Sequence, residues 1–219
     1  MTQTETAAFF DTYSAQFDAI YGNRNSLINT VVNRLFRKSM KERYLKSLEG
    51  CQPVKGRTVL DVGCGPGHYA VSLAKQEARA VVGLDFAERM IQLGRQHAEF
   101  AGVREKCEFI QADFLEHSFH ERFDYCILMG FMDYISQPQK VIQKIHALTK
   151  GRAFFSFPIG GTFLAWQRQL RYRKRCPLFL YRSEEVRKLF AESGFPRFDI
   201  EPIHRDFFVT AYAKENGTV

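Results

Sequence analysis

Asp61, Gly63, Gly65 and Gly67 crowd into one short stretch, Thr58-Val-Leu-Asp-Val-Gly-Cys-Gly-Pro-Gly67. Glycines at a turn let a ligand approach bare backbone, because no Cβ stands in the way. Asp85 lies 22 residues beyond Gly63, and Asp113 adds a further carboxylate downstream. An acid at about 20 residues past such a turn is where a Rossmann-like unit hydrogen-bonds ribose hydroxyls. A dinucleotide turn would read Gly-x-Gly-x-x-Gly and would welcome a pyrophosphate. Here the third small position is His68, and Asp61 would repel an anion. A ribose-bearing ligand with fixed positive charge suits these residues better.

These residues need strands and helices to hold them. Val59, Leu60 and Val62 predict a buried parallel strand, and Tyr69-Ala-Val-Ser-Leu-Ala74 opens a helix behind the glycine turn. Ala80–Asp85 reads as the second strand, followed by a helix from Ala87 to about Phe100. Phe109-Ile-Gln-Ala-Asp113 ends a third strand, and Phe123–Gly130 supplies a fourth. After the loop Gly130–Ile135, a helix should run from Pro138 to about Lys150, then a fifth strand from Arg152 to Phe157. A helix starting at Ser183 is stopped by Gly194, and Phe198–Glu201 and Asp206–Ala213 read as antiparallel strands joined through Pro202–Arg205. Alternating strands and helices imply an α/β fold with a parallel sheet.

The ends of the strands carry a family likeness. The Asp61–Gly67 turn resembles motif I of the class I S-adenosylmethionine-dependent methyltransferases, with Asp85 and Asp113 at the family's ribose and adenine positions. The resemblance implies a Rossmann-like, seven-stranded, mostly parallel sheet with an antiparallel terminal hairpin, spanning about 55–213. It implies S-adenosylmethionine as cofactor, held by Asp61, Gly63, Cys64, Gly65, Gly67, Asp85, Phe86, Met90, Asp113, Phe114 and Met129. Cys64 reads as packing within the turn, and Met90 reads equally as plain core. The layout is distantly similar to magnesium-protoporphyrin and ubiquinone-type O-methyltransferases.

Residues 1–50 form the expected N-terminal helical lid, and 51–219 the core. Apolar groups at 9, 10, 13, 17, 20 and 21 give helical spacing with an aromatic face, and a second amphipathic helix should run from Leu27 to about Leu48. By the same resemblance Tyr13, Phe17 and Tyr21 are candidates to cover the cofactor; each reads equally as a helix-packing aromatic.

Composition narrows the partners. The chain has 219 residues, 45% hydrophobic and 25% charged, enough for one domain with a cap. No apolar run approaches the ~20 residues of a membrane span, and the N-terminus lacks a signal core. The five cysteines are scattered and the six histidines unpaired by spacing, so no metal site is expected, and reduced thiols suit a cytoplasmic protein. The net charge of +7 concentrates in a basic helical insert at about 160–182 and just beyond it, with eight Lys or Arg between Arg168 and Lys188. That segment reads as a solvated face, or as a surface for an anionic acceptor, an anionic membrane or RNA.

A methyl donor that is already activated asks for alignment more than acid–base chemistry. A base is needed only for a protonated acceptor, and His204, Asp206, Asp133 and Tyr134 are the candidates. Nucleic-acid amino methylation in this superfamily uses an Asn/Asp-Pro-Pro-Tyr/Phe signature after strand four, where this chain reads Met129-Gly-Phe-Met132. Nucleic acid is therefore disfavoured and a small-molecule acceptor (O, N or C) expected. A non-catalytic cofactor-binding partner protein and an NAD-dependent oxidoreductase are the alternatives.

Overall fold

The computed structural model describes residues 30–161 and 178–214, with side chains from Lys38 onward. The expected helix at 7–21, with Tyr13, Phe17 and Tyr21, and most of the basic insert lie outside the described residues. Among those described, α1 (Thr30–Gly50) is followed by β1 (Thr58–Val62), α2 (His68–Lys75), β2 (Ala80–Asp85), α3 (Glu88–Phe100), β3 (Cys107–Gln111) and β4 (Phe123–Leu128). Then come α4 (Pro138–Leu148), β5 (Thr149–Pro158), α5 (Ser183–Ala191), β6 (Arg197–Ile203) and β7 (Asp206–Tyr212).

The seven strands form one sheet in the order β3-β2-β1-β4-β5-β7-β6. β1 to β5 pair with one another in parallel, and β7 is antiparallel to both β5 and β6. This is the Rossmann-like, seven-stranded sheet with an antiparallel terminal hairpin that the family resemblance implied. β1 is buried along its whole length, as a central strand covered on both faces must be. Alternate side chains feed two cores. Leu60, Val62 and Leu84 pack with Val141 and Ile145 of α4 and Val186 and Phe190 of α5. Val59 and Val81 pack on the other face with Leu73 of α2, Ile91 of α3 and Leu48 of α1.

Two boundaries differ from expectation. α4 stops at Leu148 and β5 begins at Thr149, ahead of Gly151. Thr149 is β-branched, and its buried hydroxyl donates to the Ile145 carbonyl at 2.6 Å, closing the helix there. β6 continues through Pro202 to Ile203, leaving a turn of His204 and Arg205. Proline is tolerated because β6 is an edge strand. Among the described residues, no helix is long and apolar enough to cross a membrane.

α1 runs against the sheet from its carboxyl edge toward its amino edge. Ser39 donates to Asp206, at the far end of β5's antiparallel partner, while a Cβ on Gly50 would collide with the Phe154 ring at 2.5 Å. The first turns of α1 therefore project beyond the edge where the strand-end acids lie.

Candidate cofactor and acceptor site

The glycine turn is tied to its own sheet. Gly63 and Cys64 both donate to the Leu84 carbonyl, at 2.8 and 3.0 Å, and Gly67 donates to Cys64 at 3.0 Å. Gly65 donates to Asp85 Oδ2 at 3.0 Å, while Ala87 at the head of α3 donates to Oδ1 at 2.9 Å. With four turn N–H groups already used, the turn offers little to a pyrophosphate. Its positive φ angles, 67° at Gly63 and 76° at Gly67, explain the glycines. Space demands them too: a Cβ at Gly63 would meet Phe131, and one at Gly67 would meet Phe109, each at 2.7 Å.

Asp61 sits under this turn at 1% exposure, with its Oδ2 unpartnered. Burial, and then the nearby Asp85 charge, push its pKa up to about 7, against a smaller pull from the Ala70 N–H. A buried carboxylate oxygen without a donor is costly unless something cationic arrives. Cys64 is buried beside it, and burial with the two carboxylates raises its thiol pKa. That protonated thiol fits the packing role read for Cys64.

Phe109 on β3 is a site-shaping residue that the sequence analysis did not single out. Its ring fills the space left by Gly67, Gly83 and Gly94, where an added Cβ would come within 2.7 to 2.9 Å. The three glycines are far apart in sequence, so only the fold reveals their common function.

The loop after β3 brings Asp113 and Phe114 to the same edge. Asp113 Oδ1 accepts from Leu115 and Glu116 N–H at 2.6 and 3.2 Å. Phe114 is 3% exposed and packs in the core, edge-on to Phe131 at 6.2 Å. Met90 is buried as well, while Phe86 and Met129 are half-buried. Phe131 touches both the glycine turn and Phe114, which makes it a further candidate in the loop after β4.

The far wall is a polar network. Asp206 accepts from Ser39 at 2.7 Å and stands 3.5 Å from Arg43, with side-chain exposures of 6% for Asp206 and 12% for Arg43. Arg43 also donates to Ser156 at 3.2 Å, and Ser156 in turn accepts from Gly130 N–H at 2.8 Å. The network joins α1, the end of β4, β5 and β7. The other acid–base candidates are separated around it. His204 sits on the terminal turn, 2.8 Å from Glu42 of α1. Asp133 is buried in the turn Met132–Tyr134, where its carbonyl accepts from Phe179 at 2.8 Å, and Tyr134 is half-buried beside it. Among the described residues, no cluster of His, Cys, Asp or Glu could hold a metal.

Residues 53–192 match a family model described as a methyltransferase domain. Ubiquinone biosynthesis O-methyltransferase of Neisseria meningitidis is 33% identical over 115 residues, 51% of this chain and 48% of that one. The Coxiella burnetii protein of the same name is 35% identical over 116 residues, again 51% and 48% of the two chains. The chain thus spans about half the length of the curated relatives it matches. Magnesium protoporphyrin IX methyltransferase from Synechocystis, solved with bound SAH, superposes with a TM-score of 0.78 at 18% identity, covering 96% of this chain and 99% of that one. That likeness is one of fold. With the family model spanning the glycine turn and all the strand-end acids, the chain belongs to the methyltransferase-domain family, in the class I S-adenosylmethionine-dependent fold.

Proposed function

We propose that this chain transfers the methyl group of S-adenosylmethionine to a small-molecule acceptor, with an oxygen nucleophile favoured by the names of its curated relatives. The observation that carries the reading is Asp61: a buried carboxylate with an orphan oxygen, under a turn whose N–H groups are already spent. Such a site suits an ammonium and disfavours a phosphate, which argues against the oxidoreductase alternative.

The bound cofactor supplies a methyl group made electrophilic by its sulfonium. Asp61 receives the ammonium, giving up its proton as it does so. Asp85, tied to the turn and to the head of α3 through Gly65 and Ala87 N–H, stands at the ribose position. Asp113 takes the adenine amine, Phe86 and Met129 supply apolar flanks, and the buried Phe114 and Met90 back that surface from the core. The acceptor lies against the loop after β4, between Tyr134 and the Arg43–Ser156–Asp206 network. Catalysis there is alignment and exclusion of water. For a protonated acceptor, Asp133 and Tyr134 stand nearest, whereas His204 is held by Glu42 at the rim. The basic insert, by its excess of Lys and Arg, would favour an anionic acceptor or one drawn from an anionic membrane surface. Three buried thiols, Cys51, Cys64 and Cys126, suit the reducing cytoplasm.

Calorimetry with S-adenosylmethionine and S-adenosylhomocysteine, with NAD as control, tests the cofactor. Binding of the first two at roughly micromolar affinity, followed by labelled methyl transfer to a panel of phenols and carboxylic acids, is the expected result. NAD binding would overturn the reading. Cofactor binding without transfer to any acceptor would favour the non-catalytic partner.

A further inference from the structure

A single helical turn follows β3. His117 N–H bonds the Asp113 carbonyl at 2.9 Å, and the Asp113 carboxylate caps the start of the turn through Leu115 and Glu116. The other end is capped from outside, by a residue of α4. Lys144 Nζ donates to the carbonyls of Phe114 at 2.6 Å, Leu115 at 3.0 Å and His117 at 2.5 Å. An ammonium has three donors and no acceptor, so these three carbonyls saturate it. The same nitrogen lies 4.9 Å from the Phe114 ring centroid and 5.9 Å from that of Phe119. Helical carbonyls without an intrahelical partner carry partial negative charge, which a cation satisfies. The loop is thus held at one end by an anion of its own and at the other by a cation from a neighbouring helix.

We propose that Lys144 is a positioning residue for recognition of the cofactor's base, fixing the loop that presents Asp113 and Phe114 to adenine. This rests on the reading of Asp113 given above. A carboxylate distinguishes an exocyclic amine from a carbonyl because it accepts hydrogen bonds and repels another acceptor. It can do so only if its distance from the ring is fixed. Asp113 already spends Oδ1 on its own loop, so the loop's position decides where the rest of the carboxylate points. Lys144 sets that position through main-chain atoms, at three of the four carbonyls that follow Asp113.

The test compares S-adenosylhomocysteine with S-inosylhomocysteine, in which a carbonyl replaces the 6-amine, by calorimetry on the full chain. The wild type should prefer the adenine ligand by about tenfold or more. Lys144→Met removes the ammonium and keeps the apolar stem. It should lose about tenfold on the adenine ligand and far less on the inosine ligand, so the preference collapses. Lys144→Arg, which keeps the charge but cannot place a compact ammonium among three carbonyls, should fall between. A role confined to stability would lower the melting temperature and leave the preference unchanged, and that result overturns the proposal. A wild type indifferent to the base overturns it as well. If Lys144→Met does not fold, an unchanged preference in Lys144→Arg has the same force. Failure of the wild type to bind either ligand would instead sink the cofactor reading on which the proposal rests.

Discussion

Replacing Asp61 with asparagine should make the ligand-free protein more stable at neutral pH while abolishing its hold on the cofactor. Asp61 is fully buried with one oxygen unpartnered, and its pKa stands at about 7. In the unfolded chain an aspartate titrates at about 3.9. The folded pKa is raised, so the stability this group contributes is fully present below about pH 4 and is lost as pH rises toward 7. A gap of about 3 units, at about 1.36 kcal/mol each, sets a ceiling near 4 kcal/mol at pH 7, about 1.5 at pH 5 and under 1 at pH 4. Relaxation around the charge should halve these figures. Asparagine keeps the shape and an oxygen for the Ala70 N–H, and removes both the buried charge and its repulsion of Asp85. A gain of about 2 kcal/mol would raise the melting temperature by roughly 4–8 °C for a chain of this size. Differential scanning calorimetry of both proteins without ligand, at pH 5 and 7.5, measures it. The variant should melt higher at pH 7.5, with a smaller margin at pH 5. A variant that melts no higher at pH 7.5, or a margin that ignores pH, would refute the reasoning. Saturating S-adenosylhomocysteine should reverse the order, since only the wild type gains binding free energy.

Wild-type affinity for the cofactor should itself rise as pH climbs toward about 7, where Asp61 becomes the anion an ammonium needs; a flat titration between pH 5.5 and 7 would contradict that assignment. Asp85→Ala should weaken cofactor binding by tenfold or more, at least about 1.4 kcal/mol. It should also loosen the turn it holds through Gly65 and Ala87, seen as faster amide exchange there. Asp206→Ala leaves Arg43 buried without its carboxylate and should cost about 3–5 kcal/mol in urea unfolding, whereas Arg43→Met with Asp206→Leu should recover more than half. Gly94→Ala, ordinarily stabilising within a helix, should here cost about 1–3 kcal/mol, because the new Cβ meets a Phe109 ring that Gly67 and Gly83 also confine. Adding Phe109→Leu should restore part of that loss.

The glycine turn and the strand-end acids were legible because their signals are local. Val59 to Gly67 spells strand and turn within nine residues, and Asp85 and Asp113 follow at spacings that one βα unit dictates. The Ser39–Arg43–Ser156–Asp206 network was not, because its contacts join distant parts of the chain. Ser39 and Asp206 are separated by 167 positions, and Arg43 and Ser156 by 113. Neither pair leaves a pattern in either neighbourhood. His204 shows the same limit from the other side. As a lone titratable residue near the last hairpin it suggested a base, yet Glu42, far upstream, occupies it. Boundaries near Thr149 and Pro202 shifted because a side-chain hydroxyl and an edge position altered what threonine and proline ordinarily signal.

The clasp between α1 and the terminal hairpin orders events during synthesis. The first five strands of the sheet, with the glycine turn and Asp61, can assemble once the chain has emerged through β5. Ser39, Glu42, Arg43 and Lys46 leave the ribosome early, yet their partners Asp206, His204 and Glu201 are among the last to appear. Closing so long a loop is slow relative to local pairing. A nascent or truncated chain should therefore form its glycine turn first and the clasp between α1 and the terminal hairpin last.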